Sequence, residues 1–403
     1  MTNSQNRTIW ILILSSSLIL AITMGVRQSL GLFIAPINSS TSLDIVSISL
    51  ALAIGQFIWG LTQPIFGAIA DKKGSFGVLV FGALLMFFGL ILTPFLTSEF
   101  SIILTLGLLV AAGAGAGSFS ILIGATAKNL PNEKRSFAGG FINAGGSFGQ
   151  FIFAPLAQAI INGFGWIYSM IALAFSTLLT IPLAKILSSK SKKEETNLTN
   201  DIENDIKLKE QLKVALKDKS YLYLNLGFFT CGFHVAFLVT HLPHEVALCG
   251  HSANVSAYSL ALIGLFNIFG SLYAGYLGTK YKMKYILAFI YSSRALMIII
   301  YLLSPKTELT FYIFSIAIGF TWLATVPPTA GIVGKLFGTK YLATLFGLTL
   351  LSHQIGGFFG AYLGGLFINS YGNFSLMWYL DIALAIVAAL ANLPIKEEKI
   401  NKN

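Results

Sequence analysis

Residues 188–219 read SSKSKKEETNLTNDIENDIKLKEQLKVALKDK. This stretch is polar and dense in charge, with no apolar face until its end. It reads as a solvated tether, and the part after Asp205 is expected to form an amphipathic surface helix. On both sides of it the composition reverses. Six long apolar runs precede it, near 9–36, 46–70, 75–97, 101–127, 136–161 and 165–187. Six follow, near 220–243, 254–278, 284–304, 309–333, 341–368 and 374–394. Runs of about 20 apolar residues fit membrane-crossing helices and not the shorter alternating strands of a barrel. The expected architecture is therefore an all-α membrane protein with twelve transmembrane helices. A six-helix half (1–187) joins a second half (220–403) through the linker 188–219.

Composition agrees. Of 403 residues 55% are hydrophobic and only 10% are charged, where soluble domains carry about 25% charged residues. The net charge of +10 could point to a nucleic-acid partner, but the basic residues lie in short loops between apolar runs. With both termini placed in the cytoplasm, all but three of the 26 basic residues fall on the cytoplasmic side, as the positive-inside bias requires. The exceptions are Lys306 on the outside and Arg27 and Arg294 within the membrane. The first run is too long for a signal peptide and lacks a small-residue cleavage site, so it is read as a retained helix. Cys231 and Cys249 make no disulfide framework, and the five histidines give no metal-ligand spacing. No metal and no cofactor are expected.

The two halves echo each other. Gly25-Val-Arg27 and Pro36 in the first run match Gly232-Phe-His234 and Pro243 in the seventh, with eleven residues from Gly to Pro in both. Residues 51–74, ALAIGQFIWGLTQPIFGAIADKKG, correspond to 259–282, SLALIGLFNIFGSLYAGYLGTKYK. The pairing sets Arg27 opposite His234 across a pseudo-two-fold axis, as in transporters built from parallel repeats.

The loop Gly67-Ala-Ile-Ala-Asp71-Lys72-Lys73-Gly74 resembles the G-x-x-x-D-(R/K)-x-G signature of the major facilitator superfamily. By that resemblance Gly67, Asp71, Lys72 and Gly74 form a conformational latch between the halves. The block from Gly124 to Gly140, GATAKNLPNEKRSFAGG, continues as Asn143-Ala-Gly-Gly-Ser-Phe-Gly-Gln150. It is similar to the bacterial monocarboxylate-porter-like branch, as are GVRQSLGLFIAPI, HLPHEVALCG and YSSRALMIIIYLLSP. The resemblance implies alternating access in a bacterial inner membrane, a small monocarboxylate as substrate, and a monomer. It also implies that spans one, four, seven and ten line the path. One departure limits the carry-over. Animal monocarboxylate porters place an Asp and an Arg four apart in span eight, where this chain has Phe266-Asn267-Ile-Phe-Gly-Ser271.

The candidate substrate-facing residues are Arg27, Gln28, Gln56, Asn143 and Gln150, then His234, His241, Asn267, Trp322, His353 and Gln354. Polar side chains in apolar spans face the bundle interior or water, since lipid leaves them unpaired. A charge at bilayer depth costs roughly 2.5–3.5 kcal/mol on insertion scales, so Arg27 needs a job. Its planar fork matches a carboxylate and stays charged at working pH. The competing reading is an arginine near the outer interface that snorkels to headgroups. His234 and His241 are two helical turns apart on one face, and histidine can relay protons. His353-Gln354 contact either substrate or a neighbouring helix. Arg294 is expected in a structural ion pair or on backbone carbonyls, with Asp381 as its candidate partner. His244 and His251 read as surface residues of an outer loop, and Trp10, Trp59 and Trp166 as interface anchors.

Proton symport is the expected coupling, carried by the substrate, His234 or Asp381. A proton-antiport exporter of cationic drugs is the alternative, but it would need buried acids in the first half. A non-transporting membrane receptor would need a folded output domain, for which the linker is too short. An enzyme would need clustered acid, base or metal residues.

Overall fold

The computed structural model describes residues 3–95, 98–127, 132–189, 208–338 and 342–397. These form helices joined by short connections, with no strand among the described residues. Eleven helical spans are long and apolar enough to cross a membrane. In order they are Ile9–Ser40, Ile45–Gly67, Ser75–Phe95, Glu99–Thr126, Ala138–Phe164, Trp166–Leu187, Lys219–Leu248, Ala253–Lys280, Met283–Leu303, Glu308–Phe337 and Ser375–Asn392. A helix in hydrocarbon satisfies its own backbone groups, which is why such runs take this form. The stretch expected as an eleventh span is one 30-residue helix, Leu342–Tyr371. Ser352, His353 and Gln354 lie in its middle. Of the linker, residues 190–207 lie outside the described residues. Leu208–Lys217 is the amphipathic helix expected there. Asp218 then caps the seventh span by accepting from the Tyr221 amide at 2.8 Å.

Four spans expected as continuous are interrupted, the sixth only at Leu179. The first runs as an α-helix over Asn3–Gln28, turns through a 3₁₀ segment at Leu30–Phe33, and resumes over Ile34–Ser40. The fourth contains a π-helical stretch, Ile103–Val110, and breaks again at Gly117–Ser118. The tenth stops at Thr321 and restarts at Val326. Pro327 and Pro328 explain that restart, because neither has an N–H to continue the ladder and their rings suit a first turn.

Small residues bring the first six spans against the later ones. A Cβ on Gly31 would lie 2.9 Å from the Thr240 carbonyl oxygen and closer still to that of Val239. A Cβ on Gly264 would lie 2.7 Å from the Ser147 carbonyl oxygen, and one on Gly60 would lie 2.8 Å from Gln354 Cβ. Real Cβ atoms do not approach that closely, so Gly31 and Gly264 hold backbones, and Gly60 the Gln354 side chain, at a distance only glycine allows. Two side-chain bonds join the same surfaces: Asn267 Nδ2 donates to Ser147 Oγ at 2.9 Å, and Asn162 Nδ2 to Asn254 Oδ1 at 2.8 Å.

Candidate functional site: the Arg27 cavity and a buried polar layer

Arg27 sits in the last turn of helix Asn3–Gln28, where the backbone dipole favours a cation. Its Nη2 donates to Gln56 Oε1, and its Cζ lies 4.1 Å above the centre of the Trp59 ring. No carboxylate pairs with it among the described residues. Beside it is a cavity of about 20 Å³, lined by Leu106, Val110, Val239 and Thr240 together with Arg27 and Gln56. That is room for about one water. The π-helical stretch of the fourth span supplies Leu106 and Val110. Trp59 is thus a half-buried partner of a cation, not the interface anchor expected.

The other expected path residues scatter. Gln28 and Gln150 are buried; Gln28 Oε1 and both polar atoms of Gln150 have no hydrogen-bond partner among the described residues. Asn143 is half-buried on the fifth span. Asn267 lies between helices: besides its bond to Ser147, its Oδ1 accepts from the Leu323 amide at 3.0 Å. Gln354 packs against Gly60 and lies 3.2 Å from His353 Nδ1, with its Oε1 unpartnered. His353 stacks at 4.9 Å on the Phe228 ring.

His234 does not meet Arg27. It turns towards the last span, where its Nδ1 lies 2.6 Å from Asp381 Oδ2, with both side chains at most 2% exposed. His241 donates from Nε2 to the Ala361 carbonyl at 2.7 Å and packs among Phe237 and Phe374. Arg294 is fully buried and makes no ion pair with Asp381. Its Nη2 donates to the Thr321 carbonyl and, at 2.6 Å, to that of Trp322. These carbonyls belong to the interrupted tenth span and lack their helical donors. Trp322 is buried at that break, its ring centre 6.0 Å from that of His234. Of the two roles expected for Arg294, the geometry is that of carbonyl capping.

Helix Ile45–Lys73 continues through the expected latch and ends at Gly74, whose φ of 89° is one that favours glycine. The side chains of Asp71 and Lys72 lie outside the described residues. No cluster of three His, Cys, Asp or Glu that could hold a metal occurs among the described residues.

Residues 16–361 match the family described as Major Facilitator Superfamily. The chain belongs to the major facilitator superfamily. Among similar proteins, Monocarboxylate transporter 13 of Rattus norvegicus is 24% identical, over 96% of this chain and 89% of its own. The Oxalate:formate antiporter of Oxalobacter formigenes is 23% identical, over 96% and 91% respectively. The crystal structure of a D-xylose-proton symporter superposes with a TM-score of 0.72 at 14% identity, over 97% of this chain and all of that one. This facilitator is accordingly a multi-pass secondary transporter that moves a small molecule by alternating access, in a family that is not catalytic.

Sequence reasoning missed one buried acid of the facilitator. Glu245 lies inside helix Lys219–Leu248, two residues beyond the expected end of that span. Its Oε1 accepts from the Tyr301 hydroxyl at 2.7 Å and from Trp378 Nε1 at 3.4 Å. His244 and His251 are not plain surface residues either. His244 packs its ring 5.9 Å from Phe374, and His251 donates from Nε2 to the Lys306 carbonyl at 2.6 Å. The signal was present in the sequence: His244 and Glu245 fall three and four residues after His241, one helical turn on.

Proposed function

We propose that this facilitator carries a small organic monocarboxylate across a bacterial inner membrane, in symport with protons, and binds it through Arg27. The observation that supports this is a guanidinium held deep in the bundle by a neutral amide and an aromatic face, beside a cavity and with no carboxylate partner among the described residues. An incoming carboxylate would replace the Gln56 amide with a charge-assisted, two-pronged pair, roughly twice as strong per bond. The names of two relatives, a monocarboxylate transporter and an oxalate:formate antiporter, point to the same chemical class.

The cavity holds about one water, so the substrate enters only when the surrounding helices part. In this reading the Leu342–Tyr371 helix is the eleventh of twelve spans, and halves 1–187 and 220–403 rock about a central site. The linker 188–219 and both termini are cytoplasmic. The loop Gly67–Gly74 acts as the latch, and the protein works as a monomer. Gln28 and Gln150, whose amides have free polar atoms, line the approach.

Purified protein in proteoliposomes tests the reading. Labelled pyruvate and lactate should be taken up, and neutral amides of equal size should not compete. Arg27→Ala should abolish uptake. Uptake retained by Arg27→Ala with unchanged KM would sink the proposal.

A further inference from the structure

We propose that His234 and Asp381 form a proton-binding site, and that Arg294 relays its charge state to the break in the tenth span. The inference rests on reading the chain as a proton-coupled transporter, and it names the group that takes the proton. The pair spans 147 residues of chain and joins the seventh span to the last at 2.6 Å. Both side chains are out of contact with solvent, yet His234 Nε2 and Asp381 Oδ1 have no hydrogen-bond partner among the described residues. Burying a histidine and a carboxyl together often gains nothing over apolar residues of the same shape, so the pair's retention calls for another role.

The neighbours supply that role. The groups facing this layer are Cys231 from the seventh span, Tyr291 and Arg294 from the ninth, Trp322 and Thr325 from the tenth, and His353 from helix Leu342–Tyr371. Arg294 is the one permanent charge among them. It spends Nη2 on the Thr321 and Trp322 carbonyls, while its Nε and Nη1 have no hydrogen-bond partner. With a proton on the pair, carried by the Asp381 carboxyl, the pair is neutral and Arg294 remains on the two carbonyls of the break. With that proton gone, the pair carries one negative charge and the guanidinium is its counter-ion. The pair then competes with the Thr321 and Trp322 carbonyls for the guanidinium. Gain or loss of one proton shifts it between them, and the tenth span moves with it.

The test uses the full chain in lipid nanodiscs without substrate, titrated with pH while the infrared carboxyl band and tryptophan emission are followed. One carboxyl band should rise as pH falls and be missing from Asp381→Asn. Emission should change with the same midpoint, and that change should vanish in Trp322→Phe. His234→Gln should displace the midpoint. A wild-type protein with no carboxyl titration overturns the proposal, as does an Asp381→Asn protein that titrates unchanged. A second arm uses proteoliposomes and labelled pyruvate. There Asp381→Asn should lower the ratio of gradient-driven accumulation to equilibrium exchange at least about tenfold; an unchanged ratio overturns the coupling. If the wild type moves no pyruvate, the substrate reading fails while the titration still decides the proton site.

Discussion

Asn267 of the eighth span donates to Ser147 of the fifth at 2.9 Å and accepts from the Leu323 amide at the break of the tenth at 3.0 Å. One amide therefore ties an early span to a late one and also satisfies an N–H that the interrupted helix leaves free. Asn267→Ala should lower the thermal midpoint in detergent, because it removes an inter-helix bond and orphans a buried donor, together about 1–2 kcal/mol. Ser147→Ala removes only the first and should cost less. Equal losses from the two variants would mean that the Leu323 bond contributes nothing.

Gly31 lies against the backbone of Val239 and Thr240. Gly31→Val should force the first and seventh spans apart. Spin labels at Asn162 and Asn254, which now meet at 2.8 Å through their side chains, should then report a longer and broader distance distribution. A distribution matching that of Gly31 protein would show that the surfaces part elsewhere.

Arg27→Lys keeps the charge and loses the fork. Charge-assisted bonds are worth about 1.5–3 kcal/mol, so losing one prong should raise KM for pyruvate roughly tenfold, with kcat less affected. Trp59→Leu removes the ring under the guanidinium, an interaction of roughly 0.5–2 kcal/mol, and should raise KM several-fold. Initial uptake rates in proteoliposomes separate the two. A lysine variant with wild-type KM would exclude two-pronged recognition.

Asp44 caps the second span by accepting from the Ser47 amide at 2.7 Å. That bond holds its carboxyl below the usual value, against a smaller opposing effect of burial. A depressed folded value stabilises the protein above the unfolded carboxyl value near 3.9 and loses that stabilisation as pH falls through the folded value. Asp44→Ala should therefore lower the thermal midpoint at neutral pH, by about 1 kcal/mol for a lost cap. The difference from wild type should shrink in acid. A gap that is constant with pH would mean that the carboxylate charge has no part in the cap.

Much of the fold is legible in the sequence, since apolar runs of membrane length and loop lysines are local signals. The interruptions are less so. Pro327 and Pro328 mark the tenth-span break, but nothing near Ser29 or Ile103 announces the 3₁₀ or π segments, which arise from packing against other helices. The Arg27 site is half legible: the charge and Gln56 stand out, whereas Trp59 resembles any aromatic at a span end. His234–Asp381 could not be read at all. An alignment of halves points His234 towards Arg27, and its real partner is 147 residues away on a span with no counterpart in that alignment.

The seams at Gly31 and Gly264 set backbone against backbone. Surfaces of this kind have few side chains to unlock, so they can separate and close again without rotamer changes in the core. The resistance to parting then falls on a small number of discrete polar ties, Asn267–Ser147 and Asn162–Asn254 among them. Turnover speed in such a molecule is adjustable by single hydrogen bonds, at positions remote from the cargo and without altering what the protein selects.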